Sequence, residues 1–205
     1  MISVMSRPAP RRALLLPVAL LSLATPPAAW PSEPTPITVR AAISVCFAPE
    51  QDCAAVAIAA IDRAQRQVLV NAYTLTTGTG IVAALIRARS RGVDVRLIAD
   101  KRAPCTRRSG LDALAEAGTP VWIDRRVPIA HAKVMIIDRW VTLMGSYNWT
   151  KSAARNSEDL NLVASPEVAA AYAAQWAQRA ARSVPYGSRA QWCRPRPAPD
   201  QLGAE

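Results

Sequence analysis

Histidine and phenylalanine each occur once in these 205 residues, as His131 and Phe47, and lysine occurs three times, as Lys101, Lys133 and Lys151. With one histidine the common His-containing zinc spacings are excluded, and no single copy can run a mechanism that needs two imidazoles. The absence of a CxxC pair removes cysteine-rich zinc modules as well. No apolar run reaches the ~20 residues of a membrane-spanning helix. Aromatic residues make up 5% of the chain, so its 51% hydrophobic content rests largely on alanine and aliphatic side chains. That is enough for one domain with a proper core, and the length is too short for two of ordinary size. Acidic residues are also scarce: 15 against 25 basic ones leave a formal net charge of +10. Such a surface favours polyanionic partners.

The ends read differently from the middle. Residues 1–24 resemble an export signal, with Arg7, Arg11 and Arg12 ahead of an apolar stretch over 13–24 and small residues at a possible cleavage point after Ala24. A second possible point follows Ala29. Cleavage after Ala24 lowers the net charge from +10 to +7. The rival reading, an uncleaved anchor, has only about twelve apolar residues to work with. Arg11-Arg12 would also suit a twin-arginine route. A periplasmic or secreted protein with no stable membrane insertion after signal removal is the expectation. A Pro-rich linker follows over 25–36, and a Pro- and Arg-rich tail with little to bury occupies 185–205.

Export changes how the four cysteines read. An oxidising compartment permits disulfides, and four cysteines allow three pairings. The preferred pairing joins Cys46 to Cys53 across a short loop and Cys105 to Cys193, which would staple the tail to the body. The alternative is four free, buried thiols.

Between the ends, hydrophobic periodicity predicts strands over 37–47, 67–73 and 93–99 with helices over 53–64 and 79–91 between them. Gly92 closes the second helix as a C-terminal glycine, just after Arg87, Arg89 and Arg91. A helix over 109–117, strands over 120–123, 133–138, 141–144 and 159–163, and a helix over 166–181 follow. The predicted class is α/β, a mixed β-sheet flanked by helices on both faces. No internal repeat is present.

The chemistry gathers after residue 130. His131 and Lys133 are two apart, Asp138 follows, and Gly145-Ser146-Tyr147-Asn148 comes next. A neutral imidazole can attack phosphorus while an ammonium and neutral donors hold the anionic oxygens. On an extended strand His131 and Lys133 share a face, and Asp138, an odd number of steps away, points to the other. Asp138 is therefore expected to support the site from behind by accepting backbone or arginine hydrogen bonds. Ser146 and Asn148 share a face as well, which turns Tyr147 and Trp149 towards the core. Lys101, Arg102, Arg107 and Arg108 after one strand, Arg125 and Arg126 before the motif, and Lys151 and Arg155 after it could form a rim that follows a nucleic-acid backbone. No helix-turn-helix or zinc-finger spacing is evident, so reading of a base sequence is not expected.

The pattern HxKxxxxD followed by GSxN, after a βαβαβ order, resembles the phospholipase D superfamily. The similarity extends over roughly 37–182 and is greatest to small bacterial nucleases with one motif per chain. The resemblance implies a phospholipase D-like nuclease domain over 37–184 and a homodimer with its active site on the two-fold axis. It also implies DNA cleavage with no metal or other cofactor. His131 would be the nucleophile in one subunit and the general acid in the other, Lys133, Ser146 and Asn148 would bind phosphate, and Glu158 would orient the histidine. Gly145 supports the site. Two alternatives stay open: a phospholipase, expected to carry an apolar rim or interfacial helix that the sequence does not display, and a nucleic-acid-binding accessory of a DNA transfer or uptake apparatus.

Overall fold

The computed structural model describes residues 36–193. The expected export signal over 1–24, nearly all of the linker over 25–36, and the end of the tail over 194–205 lie outside them.

The alternating and continuous apolar runs become eight strands: β1 (Ala42–Ala48), β2 (Gln67–Ala72), β3 (Asp94–Asp100), β4 (Val121–Asp124), β5 (Lys133–Ile137), β6 (Val141–Gly145), β7 (Glu158–Ala164) and β8 (Val184–Pro185). Five helices accompany them: α1 (Cys53–Arg63), α2 (Ile81–Ser90), α3 (Leu111–Glu116), α4 (Pro166–Ala180) and α5 (Arg189–Trp192). The strands form one mixed sheet in the order β1-β7-β6-β5-β2-β3-β4-β8. β2, β3 and β4 run parallel, and every other neighbouring pair is antiparallel.

Strand alternation divides the core in two. Val68, Val70, Val95, Leu97, Met135 and Ile137 pack under α1, α2 and α3, and Leu69, Ile98, Val134 and Ile136 pack under α4 with Ala169 and Trp176. Central strands buried on both faces read as unbroken apolar runs, which is why β2 and β5 carry so few polar residues. Helix ends follow their sequence signals. Gly92 is left-handed (φ 88°), and the Val93 N–H reaches back to the Ala88 carbonyl at 3.1 Å to close α2. Ser165 caps α4 by accepting the Val168 N–H.

Three elements start two or more residues later than predicted. The first strand begins at Ala42 rather than near residue 37, because Ala42 already pairs with Ala164, the last residue of β7, and earlier residues have no strand beside them. The second helix starts at Ile81, since Thr77–Thr79 forms a 3₁₀ turn ending at left-handed Gly80. The third starts at Leu111 because the Gly110 N–H is taken by the Leu75 carbonyl. The start of the tail is a correction. Val184 and Pro185 pair with β4, Tyr186 is buried with its hydroxyl donating to Asp112 at 2.6 Å, and Trp192 packs against the core. The sulfurs join Cys46 to Cys53 and Cys105 to Cys193, with Cα separations of 5.7 and 5.5 Å.

Two tight features shape the strands that carry the motif, one at each end. The turn from β5 to β6 places both Asp138 and Arg139 in the left-handed region (φ 52° and 55°), with the Trp140 N–H bonded to the Ile137 carbonyl. At Gly145 a β-carbon would collide with the carbonyl oxygen of Asp159 on β7. Only a residue without a side chain lets the two strands approach there. Gly145→Ala is expected to cost about 2 kcal/mol through forced separation of β6 from β7. The denaturation midpoint should fall accordingly, and a variant as stable as wild type would show that the strands part freely.

Candidate active site

The ends of five strands meet at one edge of the sheet. β5 begins with Lys133, β6 leads out to Ser146 and Asn148, β7 begins with Glu158, β2 leads out to Tyr73 and Thr74, and β1 ends at Ala48, the register partner of Glu158. The Tyr73 N–H bonds the Ala132 carbonyl at 3.1 Å and so extends the pairing of β2 with the segment that carries His131.

His131 is exposed, whereas Lys133 is 6% exposed. The Lys133 ammonium lies 2.9 Å from each ring nitrogen of His131 and donates to the His131 carbonyl at 2.8 Å. The imidazole rests against the Tyr73 ring, with centroids 4.5 Å apart and planes at 60°. The ammonium also lies 5.2 Å from the Tyr73 centroid. Burial pushes the Lys133 pKa below the usual lysine range, and the Glu158 carboxylate offsets part of that fall. If the charged form holds the phosphate, activity will decline on the alkaline side at a lower pH than an ordinary lysine allows. Lys133→Arg, whose guanidinium keeps its charge, should move that limb upward while lowering the rate. A pH profile of kcat/KM checks this, and an unmoved limb would assign it to another group.

Ser146 and Glu158 are locked together. The Ser146 hydroxyl donates to the Glu158 carboxylate at 2.5 Å and accepts the Asp159 N–H at 3.0 Å. The other Glu158 oxygen accepts from Asn156 at 3.1 Å. Within one chain Glu158 bonds Ser146 through one oxygen and Asn156 through the other, and His131 is not among its partners. Asn148 accepts from the Thr74 hydroxyl at 3.2 Å. Tyr147 and Trp149 are fully buried, and the Trp149 indole donates to the Asn71 carbonyl at 3.1 Å. Alternation thus leaves Ser146 and Asn148 at the edge.

Asp138 stands at the far end of β5 from His131. Its carboxylate accepts N–H groups from Gln65 at 2.8 Å, Arg66 at 2.7 Å and Gln67 at 2.9 Å. Burial raises its pKa, but the three backbone donors and the Arg66 charge outweigh burial and hold it below the usual carboxylate range.

The cationic residues expected to form a rim are distributed over several hollows. Arg107, Arg108, Lys151 and Arg155 share one open cleft of about 510 Å³ that also takes in Thr74. Lys101 and Arg125 line a different hollow beside Trp192, and the Lys101 ammonium donates to the Val127 carbonyl at 3.3 Å. Arg126 lies in a third hollow with Asp124 and Arg179, which form an ion pair. Arg102 is exposed and donates its N–H to Asp100. Sequence reading missed Tyr73 and Thr74. Their signal was indirect, being the first residues beyond β2, the strand paired with β5. Ile129 and Phe47, both near the motif edge, are 45% and 56% exposed, a modest apolar margin that sequence reading did not anticipate. Among the described residues no three His, Cys, Asp or Glu side chains gather as a metal site, and no helix is long and apolar enough to cross a membrane.

A family model described as "Cardiolipin synthase, PLD-like domain" matches residues 57–180. The chain belongs to the phospholipase D superfamily. This phospholipase D-like protein is 37% identical over 144 residues to "Phospholipase D" of Rickettsia felis, covering 70% of this chain and 72% of that one. The crystal structure of a phospholipase D family member, Nuc from Salmonella typhimurium, aligns with a TM-score of 0.67 at 32% identity, over 73% of this chain and 100% of that one. NucT from Helicobacter pylori shares the fold, with a TM-score of 0.66 at 24% identity over 72% of this chain and 100% of that one. The phospholipase D-like protein is accordingly a hydrolase of phosphodiester bonds.

Proposed function

We propose that this phosphodiesterase is an exported, homodimeric endonuclease that cuts DNA or RNA through a phosphohistidine, without a metal. The observation that carries the reading is the Lys133 ammonium set against the His131 ring at an open sheet edge, with Ser146 and Asn148 just beyond the end of the neighbouring strand. Neutral His131 attacks phosphorus, forming a P–N bond as the P–O bond breaks. His131 of the second copy protonates the departing oxygen, then takes a proton from water as that water displaces the histidine from phosphorus. Lys133 from each copy meets the phosphate charge, and Ser146 and Asn148 supply neutral contacts. Glu158 serves the site by fixing Ser146. Asp138 and Gly145 support it structurally. Two histidines starting in opposite protonation states imply a bell-shaped pH profile. Export rests on residues 1–24 and agrees with two disulfides.

A lipid hydrolase is the second reading, favoured by exposed Ile129 and Phe47 near the motif edge. Plasmid DNA and phospholipid vesicles, each offered with a chelator and beside a His131→Ala control, separate the readings. Chelator-resistant cutting that vanishes in His131→Ala is expected. Lipid turnover without cutting would replace the nuclease by the phospholipase. DNA binding without any turnover would leave only the accessory role.

A further inference from the structure

The cleft beside Asn148 has a chemistry of its own. Arg107, Arg108, Lys151 and Arg155 converge on it, hydroxyls from Thr74 and Thr150 line it, and no carboxylate does. Among the described residues the ion pairs engage Arg87, Arg91, Arg96 and Arg179, and none engages these four cations. Like charges gathered in one concavity repel, and the concavity concentrates their field outward, so the arrangement favours an anion that enters it.

The cleft is also joined to the site and held in shape. Thr74, on its wall, bonds Asn148, whose own carbonyl accepts the Thr150 N–H at 2.7 Å. The loop that carries Arg107 and Arg108 begins at Cys105, bound to Cys193, and returns to the wall through the Thr77 N–H, which donates to the Arg108 carbonyl at 3.1 Å. Arg108 itself is left-handed (φ 60°), a conformation that persists in a non-glycine residue where its surroundings fix it.

We propose that this cleft is a second anion subsite, holding the phosphates that flank the scissile one along a polynucleotide strand. The inference rests on the endonuclease reading and extends it. It makes the enzyme select a chain of phosphodiesters rather than a single one, with contacts to phosphate and none to base edges.

The test measures binding of a labelled single-stranded oligonucleotide to full-length His131→Ala protein, which separates binding from cutting. Adding Arg107→Ala and Arg108→Ala should weaken binding at least tenfold in low salt and lower the slope of log affinity against log salt by about 1.4, the value for two lost phosphate contacts on a single strand. Replacing both by lysine should restore most of the affinity and so exclude collapse of the loop. Removing equal charge elsewhere, with Arg87→Ala and Arg96→Ala, should change binding less than twofold. Equal weakening by both pairs would reduce the effect to bulk charge and overturn the subsite, as would an unchanged affinity in the cleft variant. Oligonucleotide that binds through the cleft but is not cut by the unmutated enzyme would uphold the subsite and sink the endonuclease.

Discussion

Activity should fall as the square of the wild-type fraction when wild-type and His131→Asn chains are unfolded and refolded together. One chain holds one histidine, and the proposed two-step displacement needs a nucleophile and an acid at the same phosphate. If each active site draws an imidazole from both copies, only the pairing of two wild-type chains works. A half-and-half mixture then keeps roughly a quarter of the activity, by random pairing into two-fold dimers. If every chain acted alone, half would remain. The pure His131→Asn protein should lose on the order of 10⁴-fold or more in kcat, because a missing nucleophile is not replaced by the groups that merely bind. His131 is solvent-exposed, so asparagine leaves no cavity and the loss cannot be assigned to unfolding. A linear mixing curve would end the shared-site mechanism while leaving the family assignment intact.

Asp138→Ala is expected to act on stability. It strands the N–H groups of Gln65, Arg66 and Gln67, all served now by one carboxylate at the mouth of β2. Hydrogen bonds to a charged acceptor are worth about 1.5–3 kcal/mol each when buried, and partial exposure here brings the set to roughly 3 kcal/mol. For a domain of this size that is a fall in Tm of roughly 10 °C. The left-handed turn at Asp138 and Arg139 adds to the loss, since aspartate tolerates that region better than alanine. The pH dependence has a fixed sign. The folded-state pKa is depressed, so this stabilisation is complete above the ordinary carboxylate range and is lost as pH falls through the folded value. The gap in Tm between wild type and variant should therefore be constant near neutrality and close in acid. A gap that persisted in acid would assign the stabilisation to something other than the ionised carboxylate.

The split of the motif into a working face and a supporting face follows from period two alone. His131 and Lys133 lie together, Asp138 points elsewhere, and Tyr147 and Trp149 fall inside while Ser146 and Asn148 stay at the edge. What the sequence could not disclose depended on register between distant strands. Tyr73 reaches His131 only because Ala72 pairs with Lys133, and nothing local to residue 73 announces a partner 58 positions away. Which of the cationic residues share a hollow was hidden for a similar reason. Arg107 and Lys151 meet through loop geometry, whereas Lys101, a few residues from Arg107, turns to the Val127 carbonyl. The docked tail was legible only through the Cys105–Cys193 pairing, because a two-residue strand has no period to detect, and its other anchors, Tyr186 and Trp192, are isolated aromatics in a Pro- and Arg-rich context.

Cys105 and Cys193 are 88 residues apart, and the covalent ring they close contains His131, Lys133, Ser146, Asn148 and Glu158. A protease that cuts the backbone once inside that ring does not release any of these groups, because both fragments stay tethered through sulfur. The nicked molecule would migrate as one species until a reductant is added and as two afterwards. In a compartment that is both oxidising and proteolytic, the first backbone break is thus survivable, and only a second break within the ring, or reduction, can part the proposed catalytic groups from the rest.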